Sequence, residues 1–534
     1  MDCTSTSIPY QQIGSFSKII VDYINGASDV QPFYKHPVSL DGIRKSIESR
    51  KAFANNRELL VEVLEQQYKE YDSVDGVHHN IQALLNENSF TIVTAHQPNI
   101  FTGYLYFIYK ILHIIKLSVH LGKEMPEFKF VPVYYMGSED ADLDELGHIF
   151  LNGEKLIWET SQEGAVGRMR NDGLEKIIDR ISSELSVLPF GGELVDLLKK
   201  CYLESADVQT ATFRLVHNLF ADYGLIVVLP DNPKLKAVMK RIFEDDLLNQ
   251  GPSSIVEQTI HDLSGHYKVQ AKPREINLFY LEVNIRERII KQGDTWKVVG
   301  TNIAFSQAEL LQELNDYPER FSPNVILRGL FQETILPNIA FIGGGGETAY
   351  WLELKDLFGH YSVPYPVLIL RNSFLFIEKR WMNKIGKLGF ELTDLFKDER
   401  TLIEQIVKKE SEKQLDLSAE INQLTAYYNT IRQLADKIDS TLNKHVEALQ
   451  TRVVKQLHIL EKKMLKAEKR KFDVQQKQVY SIKEKLFPKN GLQERVDNFM
   501  PYYAKFGKEF IRMIYDHSPA LEQEFVIIAE TLQP

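Results

Sequence analysis

From Phe390 to Phe487 the chain holds neither glycine nor proline, and charged residues alternate with Leu, Ile, Val and Met. A run this long without a turn residue leaves long helices as the one regular structure available to it. Leu417, Ile421, Leu424, Tyr428, Ile431, Ala435, Ile438 and Leu442 recur at spacings of three and four, the seam of a coiled coil. That register breaks near His445, and a second one fits Leu449, Val453, Leu457, Leu460, Met464 and Ala467. Asp439, Ser440 and Thr441 lie between the two and favour helix starts. The pattern therefore predicts two helices folded into an antiparallel hairpin. Such a hairpin either carries a dimer contact or packs on its own domain.

The chain ahead of it has another texture. Residues 1–90 read as mostly helical, with Ser39–Asp41 as an N-cap region. Short apolar runs then alternate with helical stretches: FTIVTA (90–95), FKFVPVYYM (128–136), YGLIVVLP (223–230), ILPNIAFI (335–342) and YPVLIL (365–370). Near-continuous apolar strands between helices predict a parallel sheet covered on both faces, so the fold class is α/β. Residues 266–305 alternate in the manner of antiparallel strands around Gln292-Gly293-Asp294 and predict a small insertion. The expected division is a core over 1–385, the hairpin over 386–487, and a helical segment over 488–534 that packs back on the core.

Bulk properties narrow the function. A net charge of −10 and a pI near 5.9 give no global basic field, which argues against general nucleic-acid binding. Cys3 and Cys201 cannot form a disulfide framework. No stretch is apolar enough to span a bilayer, and the N-terminus does not resemble a signal peptide, so the expected location is the cytoplasm.

Three strand ends could carry chemistry. In TAHQPNIFTGYLYFIYK (94–110) a strand ends near Ala95, and His96, Gln97, Thr102 and Gly103 fall between it and an apolar helix. Open α/β sheets bind ligands beyond the carboxyl ends of their strands, where helix N-termini attract anions. His96 and Gln97 could bond a phosphate or carboxylate, or the stretch could be a capping turn. In VPVYYMGSEDADLDELGH (131–148), Glu139, Asp140, Asp142, Asp144 and Glu145 crowd beside His148. They could hold Mg²⁺, bind an amine or act as a base, or simply complement a helix N-terminus. In SPNVILRGLFQETILPNIAFIGGGGETAYW (322–351) a strand runs into Gly343–Gly346 and a helix. Gly344, Gly346 and Ala349 match the dinucleotide fingerprint formally, yet the next strand ends in Arg371 where an acid is wanted. The turn therefore reads as facing an anion or substrate and not NAD. The basic 461–487 stretch adds a second place for an anion, or is a solvated face.

HQPNIFTGYLYFIYK, PVYYMGSEDADLDELGH, NVILRGLFQETILPNIAFIGGGGETAYW, LILRNSFLFIEKR and FPKNGLQERVDNFMPYYAKFG, in this order around the helical hairpin, closely resemble the family of bacillithiol biosynthesis cysteine-adding enzymes. The resemblance implies a Rossmann-like core of the HIGH-motif nucleotidyltransferase type and a coiled coil that forms a homodimer. It also implies ligation of L-cysteine to glucosaminyl-malate, with ATP (or ADP after turnover) as the nucleotide and Mg²⁺ compatible with it. Of the matching residues, His96, Gln97, Asp140, Asp142, His148 and Arg328 become catalytic candidates. Glu139, Asp144, Asn324, Gln332, Glu333, Glu347, Tyr350, Arg371 and Ser373 become substrate-binding candidates. Thr102, Gly103, Gly343 and Gly344 become nucleotide-binding candidates, with Lys379, Arg380, Gly491 and Arg495 as a second nucleotide site near the root of the coiled coil. The family pattern is departed from at Asn99, Tyr104, Ala141 and Gly147, where it has Gly, Pro, His and Asn. Two other readings remain: a related nucleotidyltransferase or amide ligase for another acid and amine, and a catalytically silent dimeric scaffold.

Overall fold

A computed structural model describes residues 2–531 apart from 70, 72, 73, 412 and 413. The chain divides into two compact units, Met1–Leu375 with Gly491–Ile528, and Phe376–Asn490 with Ala529–Pro534.

The first unit is built on five parallel strands: β1 (Ser89–His96), β2 (Lys129–Met136), β3 (Ile226–Val228), β4 (Asn338–Gly343) and β5 (Val367–Leu370). Their order across the sheet is β3-β2-β1-β4-β5. Each of the five apolar runs forms its strand, and the strands are buried almost throughout, as a sheet covered on both faces demands. The order reverses between β1 and β4, which makes the carboxyl ends of those two strands the topological switch point where ligands bind in open α/β sheets. Helix α1 (Tyr106–Glu124) follows β1, and α2 (Val325–Ile335) and α3 (Gly345–Leu352) flank β4.

The insertion forms an antiparallel sheet of Leu278–Glu282, Ile285–Gln292, Thr295–Val298 and Ala304–Ser306, joined at one edge by Phe321–Pro323. Gly293 at φ 61° makes the expected hairpin turn, in a region that favours glycine. Ser39 caps helix Leu40–Lys51 by accepting the Gly42 N–H at 3.0 Å. Two strands run against the expected helical ends, Cys3–Pro9 and Glu524–Glu530. Within the expected helical segment, Gln493–Arg495 is a single 3₁₀ turn and the first α-helix spans Met500–Phe506.

In the second unit, α4 (Ser418–Asp436) and α5 (Leu442–Lys469) form the hairpin, with its turn at 437–441. Leu417 N–H meets Glu461 at 2.9 Å and Asn443 Nδ2 meets Asp436 at 2.6 Å, so the helices run antiparallel. The first seam holds through Ile421, Leu424, Tyr428, Ile431 and Ala435, all half-buried, but Ile438 and Leu442 sit exposed at the turn. The second seam needs correction. Val446, Gln450, Val453, Leu457, Glu461 and Met464 face inward, and Leu449, Leu460 and Ala467 face out. A polar Gln and Glu in the seam, with leucines beside it, defeat a register read from hydrophobicity alone.

Candidate active site at the switch point

β1 ends at His96, and the chain leaves it through a strained turn. Phe101, Thr102 and Gly103 have φ of 49°, 64° and 63° in succession. A Cβ on Gly103 would lie 2.8 Å from the Asn99 Cβ, so glycine is required there on space as well as on φ. The turn is fastened by Asn498, whose Nδ2 donates to the carbonyls of Phe101 at 3.0 Å and Gly103 at 2.5 Å. Leu105 N–H donates to the Asp497 carbonyl at 2.7 Å. Thr102 therefore neither caps α1, which opens at Tyr106, nor reaches the site, and Gly103 is likewise structural.

At the switch point lies a cavity of about 690 Å³. His96 and Gln97 of β1, Asp140 and Glu145 after β2, Asn324 and Arg328 of α2, and Gly344, Glu347 and Tyr350 of α3 line it, with Arg371 after β5. Lys272, Arg274, Phe279 and Arg286 come from the insertion, and Arg495 from the C-terminal segment. The sequence reading thus places ten of its candidates on one cavity, along with Glu145. It missed Tyr106 and all the insertion residues.

Lys110 was also missed. It sits in the apolar first turns of α1 and is buried beneath the floor. Its Nζ donates to the Ala95 carbonyl at 2.5 Å and to Glu347 Oε2 at 2.6 Å. The same Glu347 oxygen accepts the Gly344 N–H at 2.8 Å, which pins α3 to the end of β4. Burial pulls the Lys110 ammonium below its usual range against the opposing pull of Glu347.

The cavity lining carries both signs of charge. Arg371 is held by Glu494 at 2.7 Å, and Arg328 approaches Asp140 at 3.4 Å. Burial pushes Asp140 up, but Arg328 and Arg286 outweigh it and keep the carboxyl below its ordinary value. Gln97 Nε2 donates to the same carboxylate at 3.3 Å. Burial, then the neighbouring Arg328, brings the Arg286 guanidinium down to about 10, and it lies over the Phe279 ring at 4.1 Å. Among the described residues, Lys272, Arg274, Arg286 and Arg495 have no carboxylate at ion-pair distance, so the cavity offers unpaired cations to an anion. Burial, then Asp142 and Asp140, raises Glu145.

His96 lines the cavity as a buried side chain. Burial, then Lys110 and Arg371, holds its imidazole neutral far below the usual range. Its Nε2 has no hydrogen-bond partner among the described residues, and Tyr106 and Phe107 pack against the ring. As a neutral group it can still bond a ligand, a phosphate or carboxylate included.

The acidic stretch does not act as one cluster. Glu139 turns away from the cavity onto buried Lys236, which also meets Asp231 at 3.2 Å. Asp142 caps residues 143–146 by accepting the Glu145 N–H at 3.0 Å, and Asp144 is exposed. His148 bonds the Asp144 carbonyl at 2.7 Å and the Tyr104 hydroxyl at 3.1 Å, behind the cavity wall. Among the described residues no group of three His, Cys, Asp or Glu could hold a metal. Gln332 and Glu333 are core residues: Glu333 pairs with buried Arg50 at 2.6 Å and accepts from Gln332 at 2.9 Å and Asn338 at 2.7 Å. Gly343 leaves no room for a Cβ, with Phe341 at 2.9 Å, and shapes the turn without lining the cavity. Ser373 backs the site by donating to Glu494 at 3.1 Å. Lys379 and Arg380 belong to the second unit, where Lys379 N–H meets Glu530 at 2.8 Å and Arg380 stands 3.6 Å from Glu378. Gly491 lies outside the cavity lining.

Of the family departures, Asn99 donates to the Glu145 carbonyl at 3.3 Å and Tyr104 stacks on Tyr106 with centroids 5.7 Å apart. At Gly147 a Cβ would fall 2.7 Å from the Leu143 carbonyl, so this backbone excludes a larger residue. Ala141 is half-buried and makes no side-chain hydrogen bond.

A five-stranded parallel sheet with a cation-bearing cavity at its switch point places the first unit among Rossmann-like α/β folds, and the chain adds a coiled-coil unit to it. The chain matches the descriptions "Bacillithiol biosynthesis BshC, N-terminal Rossmann-like domain" over residues 1–372 and "Bacillithiol biosynthesis BshC, C-terminal coiled-coil domain" over 374–530. It belongs to the BshC family. Relatives named "Putative cysteine ligase BshC" include proteins of Flavobacterium johnsoniae, 39% identical with 99% of each chain covered, and Cytophaga hutchinsonii, 37% identical with 95% covered. A Bacillus cytotoxicus relative of the same name is 26% identical, with 97% of this chain and 98% of its own covered. Among the described residues no helix is long and apolar enough to cross a membrane.

Proposed function

We propose that the chain is an ATP-dependent ligase that joins the carboxyl group of L-cysteine to the amine of glucosaminyl-malate, forming bacillithiol in the cytoplasm. The observation that carries this reading is the charge of the cavity, where Lys272, Arg274, Arg286 and Arg495 have no carboxylate at ion-pair distance among the described residues and Glu145 and Glu347 belong to the same lining. Such a site suits phosphates and the malate carboxylates at its cations and an ammonium group at its carboxylates. The nucleotide phosphates fit Lys272, Arg274, Arg286 and the first-turn N–H groups of α3, which have no helical acceptors. ATP supplies the activation of the cysteine carboxyl.

The chain's own groups do the rest. Glu347, with one oxygen locked by Lys110 and Gly344, presents the other to a substrate ammonium. Glu145, raised by burial and its neighbours, is suited to take a proton from the amine as the amide forms. Asp140 steers Arg328, and neutral His96 donates or accepts one hydrogen bond. Mg²⁺ would enter with the nucleotide.

Purified protein given ATP, cysteine and glucosaminyl-malate should yield bacillithiol by mass spectrometry, and Arg286→Ala should lower kcat/KM by about tenfold or more through loss of one charged hydrogen bond. Product with another acid or amine would favour the related ligase. Wild-type protein that neither binds ATP nor forms product would leave the scaffold reading. The exposed Tyr427, Leu434, Leu449 and Leu460 of the hairpin support homodimerisation through this unit. Sedimentation of wild type beside Leu434→Glu tests it, with a shift to monomer expected.

A further inference from the structure

Two buried carboxylates outside the cavity, Asp246 and Glu353, serve one short segment. Both are fully shielded from solvent. Glu353, just past α3, accepts the N–H of Gln270 at 2.7 Å on one oxygen and that of Ala271 at 2.9 Å on the other. Asp246, in helix Lys240–Asn249, accepts the Asn277 N–H at 2.6 Å and the Asn277 Nδ2 at 2.9 Å, again one on each oxygen. The segment between, 271–277, has no helix or strand of its own. It carries Lys272 and Arg274, two of the unpaired cations of the cavity.

Asn277 passes the constraint further. Its Oδ1 accepts from the Arg274 N–H at 3.1 Å and from Asn324 Nδ2 at 3.0 Å, and its carbonyl accepts the Asn324 N–H at 2.9 Å. Asn324 in turn caps α2 by accepting the Ile326 N–H at 2.8 Å, and α2 carries Arg328. Burying a carboxylate without a cationic partner is costly, and both groups show the cost, since burial pushes each carboxyl up to about 7. A segment with no need of a set position could be tied by neutral groups instead.

We infer that Asp246 and Glu353 are positioning residues that hold the 270–277 strap so that Lys272 and Arg274 face the cavity, and that Asn277 extends this hold to the helix bearing Arg328. The inference rests on the proposed ligase reading. Glu353→Gln and Asp246→Asn each keep the shape but set an amide donor against a backbone or side-chain N–H.

Each variant should raise KM for ATP and its calorimetric Kd by roughly tenfold while kcat changes far less, because a displaced cation weakens binding before chemistry. On a Lys272→Gln/Arg274→Gln background, Glu353→Gln should have little further effect on ATP affinity, since the charges it positions are gone. Variants that melt earlier yet keep wild-type KM and Kd would overturn the inference, as would an undiminished effect of Glu353→Gln on that background. Absent product from wild type that still binds ATP would sink the ligase reading alone, while absent ATP binding by wild type would sink both.

Discussion

Lys110 and Ile438 break the ordinary rules of burial in opposite senses. Lys110 is 1% exposed inside the α/β unit, and Ile438 is 82% exposed at the turn of the hairpin. In the first unit, Arg50 is buried with Glu333, Arg371 with Glu494 and Lys236 with Glu139, and buried Lys110 meets half-buried Glu347. In the hairpin no residue of α4 is buried, and of α5 only Val446 is. Paired interior charges contribute little net stability but hold geometry, because either partner alone would be stranded in a medium that cannot solvate it. The contrast separates a unit organised to fix side chains from one organised to present a surface.

The sharpest break of that contrast is at Arg50. Arg50→Ala strands the Glu333 carboxylate and should cost about 3–5 kcal/mol in urea unfolding. A loss under ~1 kcal/mol would mean that the buried pairs do not anchor the unit. Next comes Asn498→Ala, which leaves the Phe101 and Gly103 carbonyls without their donor. It should cost about 1–3 kcal/mol and lower turnover together with the melting temperature, whereas unchanged stability would place the hold on the turn elsewhere.

A smaller effect follows from pH. Asp246 and Glu353 have folded pKa values near 7, above ordinary values of 3.8 and 4.5. The folded state therefore binds more protons than the unfolded one between about pH 4 and 7, and the contribution of these groups falls as pH rises through that window. The stability of wild type relative to Glu353→Gln should decline from pH 5 to pH 7.5, and a gap that widens would refute the assignment. Smallest is Ile438→Ser, which should change unfolding free energy by less than about 0.5 kcal/mol in monomeric protein.

What the sequence disclosed depended on how each signal was written. The five core strands were legible because strands covered on both faces are continuously apolar. The switch-point cavity was legible because polar residues concentrate at the ends of those strands. Lys110 left one trace, a lysine within the apolar first half of its helix, but nothing in its spacing names Glu347 as partner. Arg286 left none, since a charge in an alternating strand is ordinary. The acidic stretch misled because proximity in sequence hides direction: Glu139 and Asp140 are neighbours that point to Lys236 and Arg328 respectively. Gln332 and Glu333 misled similarly, as buried polar residues of a structural network carry the same letters as substrate contacts.

The turn at Phe101–Gly103 has a consequence for synthesis. Its fastener, Asn498, lies 397 residues downstream of Phe101. At about 5–20 residues per second a ribosome needs roughly 20–80 s to make that interval. During that time β1 and α1 exist without the contact that holds the left-handed turn between them. The nascent chain can build its sheet early, but the site becomes whole only once nearly all of the polypeptide has emerged, so no fragment lacking the C-terminal segment should acquire activity during translation.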